Sequence, residues 1–546
     1  MRNSKWWNAD EGMVHERVVA YAQEVERVNA DHYDRFRKLD YLYDPNGANR
    51  DEGGIRPQVQ DNLIQSTVDT VYSIVAATEI GARFVVKDAE WDEMRRAMHL
   101  EWYSENITRS LGTEEMANDA FRDGALKGTG IVKVYTDSFD EIQVDRVPID
   151  DLIVDSAESA ADKPKQMHQR CMVDREELIA MFPDLELAIA EAQQGTSWSH
   201  WAGFRPIEGD DIVVIESWRL PVGRKGKPGY KPGRHCMTID GADLFDEVWE
   251  ETRFPFAVFR WAKRDRSFFG ISMAEGLIGH QKTVTKLGWQ IDRQLDQMAM
   301  PTTYVRLADA NLAVKRSNHL GTIAVYQGDV PQTVIPKAVS PETYNREETV
   351  MRRAYELSGV SRMNANSTKP AGLESGAALR AYADITTQRF AQQEKAIERF
   401  KLDIVWLVLR EAKKLGPAAP KMLRKTRWGT RVLDWSSVDL GDVKYQMKAA
   451  SDLGKTPAGK RQLAMEWAQA GVVSKDEARA LIEYPDTEGS ISMYTAAYRD
   501  IQRTTQDLLD GVQMMPEGFQ NLKMGVWMIQ QEYLKAKGDS APEEIL

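Results

Sequence analysis

The stretch FFGISMAEGLIGHQKTVTKLGWQIDRQLDQMAMP (268–301), with ETYNREETVMRRAYELSGV at 342–360 and LESGAAL at 373–379, decides how this chain is read. From 271 to 300 the apolar residues recur at helical spacing, which at 1.5 Å per residue makes about 45 Å of helix, and Pro301 closes it. Residues 302–340 alternate short strand-like pieces, TTYVRL and GTIAVYQ, with turns at Gly328 and Pro331, as a small separate module does. A second helix over 342–357 ends at Ser358 and Gly359, a polar loop follows to Gly372, and a helix from Leu373 to Leu415 stops at Gly416 and Pro417. A helix out, a compact module, a helix back and a loop make a poor enzyme pocket but a good spoke, and spokes assemble into rings.

On the N-terminal side, Val14, Val18, Tyr21, Val25, Val28, Phe36, Leu39 and Leu42 recur at steps of three and four, so 10–43 reads as one helix, ended by the loop DPNGANRDEGG. Helices are expected at 61–80, 88–110 and 113–127. A hairpin follows, IVKVY with EIQVDRV, turning at Asp137–Asp140. The strand QMHQRCMV leads into DREELIAMFP, where Asp174 is placed to cap a helix with Glu177 three residues on. The strand DIVVIESWRL opens a hairpin-like region whose tip, GRKGKPGYKPGR, is too rich in glycine and proline for regular structure. Strands at 430–448 and helices at 457–484 and 491–537 complete the chain. At 546 residues, with no fixed-period repeat, the class is mixed α+β with several modules, roughly three to four domains by length.

Two cysteines, Cys171 and Cys236, are too few for a disulfide framework, and MRNSKWWNADEG lacks the apolar run of a signal peptide, so a reducing cytoplasm is expected. The densest apolar run, IVWLVL at 404–409, is far short of a membrane span, and no membrane role is expected. The net charge of −12 argues against a protein that grips nucleic acid over its whole surface.

The string that looks most like an enzyme's is AASDLGKT (449–456), a loose form of the phosphate loop, in which backbone N–H groups and a lysine surround an anion. It has a single glycine, puts Asp452 where the anion sits, and lacks a later apolar strand ending in a metal-binding aspartate, so its context fails. GALKGTG (124–130) precedes a strand, whereas a dinucleotide fingerprint follows one, so it reads as a helix stop. His168, Cys171, His235 and Cys236 match no common zinc spacing, and packed core is the expectation, with no metal and no cofactor. Asp145, Asp150, Asp151 and Asp155 crowd one segment without a histidine or lysine partner and read as solvated strand ends rather than a two-metal site.

The basic residues fall into three groups. Lys282, Lys286 and Arg293, four and seven residues apart, share a helix face, and Arg346 and Arg353 form a similar pair on the return helix. Such a stripe faces passing phosphates or pairs with carboxylates of a neighbouring subunit, and pairing is preferred because a row of strong phosphate contacts would stall a sliding duplex. The tip residues Arg224, Lys225, Lys227, Lys231 and Arg234 read as a phosphate-binding finger or, by preference, a solvated turn. Arg362 and Lys369, on a loop that Gly359, Pro370 and Gly372 leave mobile, are the better candidates for a transient touch on DNA.

In order of parts the chain resembles the portal proteins of tailed bacteriophages, the head-to-tail connectors of podovirus-like and siphovirus-like heads. The carrying residues are NLIQSTVDTVYSIV (62–75), AFRDGALKGTGIVKVYTD (120–137), FFGISMAEGLIGHQKTVTKL (268–287), LSGVSR (357–362) and LESGAAL (373–379), over roughly residues 55–500. The resemblance implies a wing over 1–267, continued by strands at 417–455, with a first stem helix at 268–300, a clip at 301–341 and a second stem helix at 342–358. It implies further a tunnel loop at 359–372, a long wing helix at 373–416 and a helical crown at 456–546. It also implies a homo-oligomeric ring, of twelve copies in the virion, at one capsid vertex, assembled in the host cytoplasm. Double-stranded DNA passes through such a ring. The expected partners are the terminase large subunit, a head-completion or tail adaptor protein, and the major capsid and scaffolding proteins. Portals are not enzymes, which agrees with the failed phosphate loop. The N-terminal helix lies outside the resemblance, and no extended heptad tail follows the crown.

Replacing both Arg362 and Lys369 by Glu is expected to impair DNA packaging or retention without dissolving the ring. Normal DNA-filled heads from that double variant would remove the tunnel-loop assignment.

Overall fold

A computed structural model describes residues 5–45, 61–192, 210–304, 332–360, 390–451 and 496–541, apart from short stretches inside these spans, and a few residues between 465 and 469. The class is α+β. The chain divides into two compact units, the first of Met1–Tyr33, Val71–Ser272 and Phe390–Leu546, the second of Asp34–Thr70 and Met273–Arg389.

The first unit is built around a five-stranded antiparallel meander of β4 (Leu152–Ile153), β5 (Gln166–Asp174), β6 (Asp211–Arg219), β7 (Gly233–Ile239) and β8 (Ala242–Trp249), in that order. Seven of the nine residues of β6 are buried, so the strand is covered on both faces. On one face Val213, Ile215 and Cys236 meet Val14, Val18, Ala22 and Val25 of helix α1 (Val14–Val28), spaced as one helical stripe. Met13, at the α1 N-cap, offers no capping side chain, and Asp243 of β8 takes that role, accepting from the backbone N–H of His15 at 2.6 Å and of Val14 at 3.1 Å. On the other face Ile212 and Val214 meet Leu178 and Ile189 of the two short helices that follow β5, α6 (Arg175–Met181) and α7 (Glu186–Glu191). Asp174 caps the first of these as expected, its carboxylate accepting from the N–H groups of Glu176 and Glu177.

A second sheet, β3 (Ile142–Val147), β2 (Thr129–Thr136) and β9 (Phe256–Arg260), carries helices α5 (Thr113–Lys127) and α10 (Ala391–Leu415), with Phe259 between Phe121 at 5.1 Å and Phe400 at 5.9 Å. Helix and strand approach closely through glycine. A Cβ on Gly130 would lie 1.7 Å from the carbonyl oxygen of Ala120, and one on Gly128, at φ 92°, 2.6 Å from that of Gly270. GALKGTG is thus a helix stop, as its position before a strand implied, and its glycines also serve as packing contacts. Smaller ribbons pair β1 (Ile80–Val86) with β14 (Tyr445–Ser451) and β12 (Met422–Thr426) with β13 (Gly429–Leu433), beside helix α4 (Trp91–Ser110).

In the second unit helices α8 (Ile278–Ala299) and α9 (Pro341–Ser358) pack together. Ser340 caps α9, Pro341 occupies its first position and Gly359, at φ 78°, ends it, so the expected stop at Gly359 is used. Between the helices, β10 (Thr302–Tyr304) pairs antiparallel with β11 (Gln332–Val334), Thr302 opposite Val334 and Tyr304 opposite Gln332. Beside them the second unit takes in the end of α2 (Ala30–Tyr43) and the start of α3 (Leu63–Ala76). Asn62 fastens the two: its amide donates to the carbonyls of Leu42 and Tyr43, each at 2.9 Å, and its oxygen accepts from the N–H of Gln65 at 3.0 Å.

Three expectations on helix bounds are corrected. The helix over 10–43 breaks at Asn29, because its buried side chain donates to the carbonyl of Val154 at 2.8 Å and holds the backbone out of helical geometry there. Residues 268–273 are not helical: Phe268 and Phe269 are buried, and the N–H of Gly270 donates to Thr129 at 2.9 Å, so α8 follows a short 3-10 turn at Ala274–Leu277. The helix over 491–537 is two, α11 (Ala496–Leu509) and α12 (Leu522–Gly538), with Pro516 between them. Of the expected 373–416 helix, residues 373–389 lie outside the described residues, and α10 starts after Phe390, itself at φ −96° and ψ 8°.

Gly130→Ala is expected to destabilise the first unit by about 3 kcal/mol, since backbone has to move to admit the methyl group. The measurement is the urea midpoint. Gly279→Ala, at an open position of α8, is the control expected to leave stability unchanged or raised.

Candidate functional site

Helix α8 turns an exposed face outward along which Lys282, Lys286, Trp289 and Arg293 follow at steps of four, three and four. Trp289 is 46 % exposed and Arg293 lies over its ring at 5.1 Å, so the guanidinium is held by an aromatic face while the two lysines point into solvent. The opposite side of α8 is fixed by Gln281, fully buried, whose oxygen accepts from the N–H of Leu63 at 2.7 Å and whose amide donates to Thr285 at 3.2 Å. Burying a side-chain amide on one face of α8 orients the basic face. Arg346 and Arg353 are exposed on α9. The expected DNA-contact residues Arg362 and Lys369 lie outside the described residues.

The antiparallel β10–β11 ribbon brings the C-terminal end of α8 and the N-terminal end of α9 together, so the two packed helices run in opposite directions with the excursion at one end. Residues 305–331 of that excursion lie outside the described residues. Glu347 of α9 sits near Asp61 and Asp292, and partial burial together with these two carboxylates pushes its own above the ordinary value.

The tip of the β6–β7 hairpin is a solvated turn. Arg224, Lys225, Lys227 and Lys231 are exposed, Lys225 pairs with Glu250 at 2.5 Å, and the chain closes through a bridge between Val222 and Lys231. Arg234 belongs to the scaffold: it is bonded to Asp246 and donates to the carbonyl of Ala9 at 2.7 Å.

The enzyme-like constellations are dispersed by the fold. Three residues apart on β5, His168 and Cys171 point to opposite faces of the sheet, as do the adjacent His235 and Cys236. His168 contacts Ser217 at 2.7 Å and meets the ring of Trp6 edge-on at 5.3 Å, and burial lowers its pKa to about 3. Burial raises Cys171 to about 11, far from the thiolate that metal or nucleophilic chemistry needs. The four aspartates separate: Asp145 accepts from Tyr135, Asp150 from Lys127, Asp151 faces Arg170 at 3.8 Å, and Asp155 accepts from the N–H of Glu158. Among the described residues no three potential ligands form a metal-holding group. AASDLGKT starts in β14, whose described partner is β1, antiparallel, whereas a phosphate loop follows a strand of a parallel sheet; residues 452–456 lie outside the described residues. No described helix is long and apolar enough to cross a membrane.

One arrangement the sequence did not announce joins the two sheets of the first unit. Glu216 on β6 accepts from Lys133 on β2 at 2.5 Å and bonds His235 on β7 at 2.9 Å, and His235 reaches Glu247 on β8 at 2.6 Å. Trp218 stacks on His235 at 5.2 Å. Lys133, Glu216 and His235 are 6 %, 8 % and 9 % exposed, which closes the network to substrate. Burial alone would raise Glu216, but Lys133 and His235 bring its carboxyl down to about 2. Burial likewise opposes charge on His235, yet its bonds to Glu216 and Glu247 raise it above the ordinary value. A cleft of about 780 Å³ near α4, α5 and α10 was also missed, since its charges, Arg83, Glu101, Glu115 and the Lys401–Glu114 pair among them, come from distant segments.

No family model matches the chain, and a search of curated proteins finds no match.

Glu216→Gln is expected to cost about 3–5 kcal/mol, because Lys133 is left buried without its carboxylate. A raised histidine contributes stability that is complete below its unfolded value and is lost as pH rises through the folded one, whereas Glu216, held low, contributes fully above the ordinary carboxylate range and loses its share as pH falls from there to about 2. Urea midpoints of the wild type are therefore expected to fall as pH rises from about 6.5, and His235→Gln to flatten that dependence.

Proposed function

We propose that this chain is the subunit of a ring-shaped channel, the portal at one vertex of a tailed-bacteriophage capsid, through which double-stranded DNA is packaged and ejected. The observation that carries the reading is the second unit. Two packed antiparallel helices, α8 and α9, send the chain out through an excursion closed at its root by the β10–β11 ribbon and bring it back. In that reading α8 and α9 are the conduit wall, the excursion at 301–341 is the docking surface for terminase and then for a head-completion or tail adaptor, and 359–372 is the tunnel loop carrying Arg362 and Lys369. The first unit supplies the wing and crown, which meet neighbouring copies and the capsid and scaffolding proteins. Twelve copies close the ring in the virion.

Physical chemistry supports the reading from two sides. At −12 per copy, a ring of such subunits repels phosphate over most of its surface, so a duplex slides instead of sticking. The titratable groups that resemble an active site are used up inside the fold, in the Glu216 network and in separate ion pairs, which favours a structural over a catalytic role.

Negative-stain electron microscopy of the purified protein is expected to show rings with a central opening. Images holding only monomers or closed dimers would overturn the proposal, and particles without a pore would point to a scaffold or adaptor instead.

A further inference from the structure

Helix α12 of the first unit has three sides, and one of them is packed inward. Gly525, Met528 and Ala536 form that side: all three are buried, a Cβ on Gly525 would meet the side chain of Ile501 on α11 at 3.8 Å, and Ala536 clusters with Ala541 against Leu509. The other two sides are apolar and lie in water. Leu522, Val526, Ile529 and Tyr533, at steps of four, three and four, make a seam and are 54 %, 58 %, 39 % and 42 % exposed. Trp527 and Leu534, seven residues apart, make a ridge about 120° further round the helix and are 62 % and 60 % exposed. Lys523, Gln530 and Lys537 run as a polar row between seam and ridge.

A helix that packs one side on its own domain normally shows polar residues on the rest. Turning α12 about its axis cannot correct the pattern, because hiding the seam or the ridge would bring Met528 and Ala536 into water instead. Together the six seam and ridge side chains leave about 600 Å² of apolar surface in water per copy, at the upper end of what single subunits show. That area matches the apolar share of one partner's side of a standard interface. The two faces also share a period. Trp527 and Leu534 stand two turns apart, about 10.5 Å, and the seam repeats over the same distance, Leu522 to Ile529 and Val526 to Tyr533. Two large knobs on one face therefore find two gaps on the other in a single register.

We propose that α12 is a contact between copies of this chain, the Trp527–Leu534 ridge of one copy seated in the Leu522–Val526–Ile529–Tyr533 seam of the next. A two-fold dimer made seam to seam would leave every ridge bare, whereas a head-to-tail contact uses both faces of every copy. Contacts of that kind, made by two different faces of one subunit, continue from copy to copy and close into a ring when the rotation allows. The inference rests on the ring of the proposed function for closure alone; the contact itself needs only a second copy.

The test is the assembly state of the full-length protein, read by native mass spectrometry and sedimentation over a range of concentration. Two variants each spoil one face: Val526→Glu/Tyr533→Glu in the seam and Trp527→Gln/Leu534→Gln on the ridge. Both are expected to keep the far-UV circular dichroism of the wild type, since the replaced side chains are exposed, and each is expected to weaken self-association about tenfold or more. Mixing the two in equal amounts, one of them isotope-labelled, is expected to restore pairs holding one copy of each, because the intact ridge of the first meets the intact seam of the second. A ridge variant that associates like the wild type while the seam variant does not would show a seam-to-seam dimer and overturn the proposal. A wild type that stays monomeric at every concentration would overturn it as well, its faces then being covered by something other than a second copy. Rings that persist in both variants would overturn the α12 contact and leave the channel standing. Association lost in both variants and regained on mixing, with no rings from the wild type, would overturn the channel and leave the contact standing.

Discussion

A carboxylate taken out of water has to be given donors or it will not stay charged, and Glu216 is placed where only two different strands can supply them. Lys133 comes from β2 of the smaller sheet and His235 from β7 of the larger, so the charge of Glu216 is satisfied only when the two sheets stand in one alignment. Well-packed apolar residues would hold the sheets at least as strongly, because much of the attraction within a buried ion pair is offset by desolvation. What the polar contact adds is discrimination. A slip of one residue along β6 would turn Glu216 toward the α1 face, among Val14, Val18 and Ile215, and bring Ser217 or Ile215 to face Lys133. The aromatic stack of Trp218 on His235 depends on the same register of β6 against β7.

Much of the architecture was legible along the chain because it is written in local chemistry. Asp174 with Glu177, and Gly359, mark helix ends through groups within a few residues of each other, and 113–127 was placed to the residue. What failed to show were decisions made across the fold. Nothing near Asn29 says that its amide will find the carbonyl of Val154, so a continuous apolar stripe hid a break. FFGIS reads as the entrance of a helix until Gly128 and Thr129 come up against it. The candidate sites divide in the same way. The stripe Lys282, Lys286 and Arg293 follows from helical spacing alone, whereas Lys133, Glu216, His235 and Glu247 come from four strands that no periodicity links.

The two units have different physical characters, which accords with different tasks. The first buries its charge in strand-to-strand pairs and packs aromatic rings in layers, as a rigid body does. The second is a helix pair with long exposed faces, α8 bearing lysines and a tryptophan and α9 mixing arginines with glutamates. Exposed helical faces of that kind are suited to contacts that form and break, and charge arranged on a small body is felt by a passing polyanion before any contact is made.

The bond between the backbone N–H of Leu63 and the buried oxygen of Gln281 spans 218 residues of sequence. During synthesis the start of α3 leaves the ribosome long before its partner, and at usual elongation rates the wait is on the order of 10 to 40 s. For that interval the N–H of Leu63 has no Gln281 oxygen to receive it, and Ile64 and Val68, fully buried in the finished fold, wait for the rest of the second unit. A chain with this connectivity completes its second unit late and by closing a very long loop, so the nascent protein passes through a stage in which the future helix pair is absent while its first supporting helix stands open to aggregation or to a chaperone.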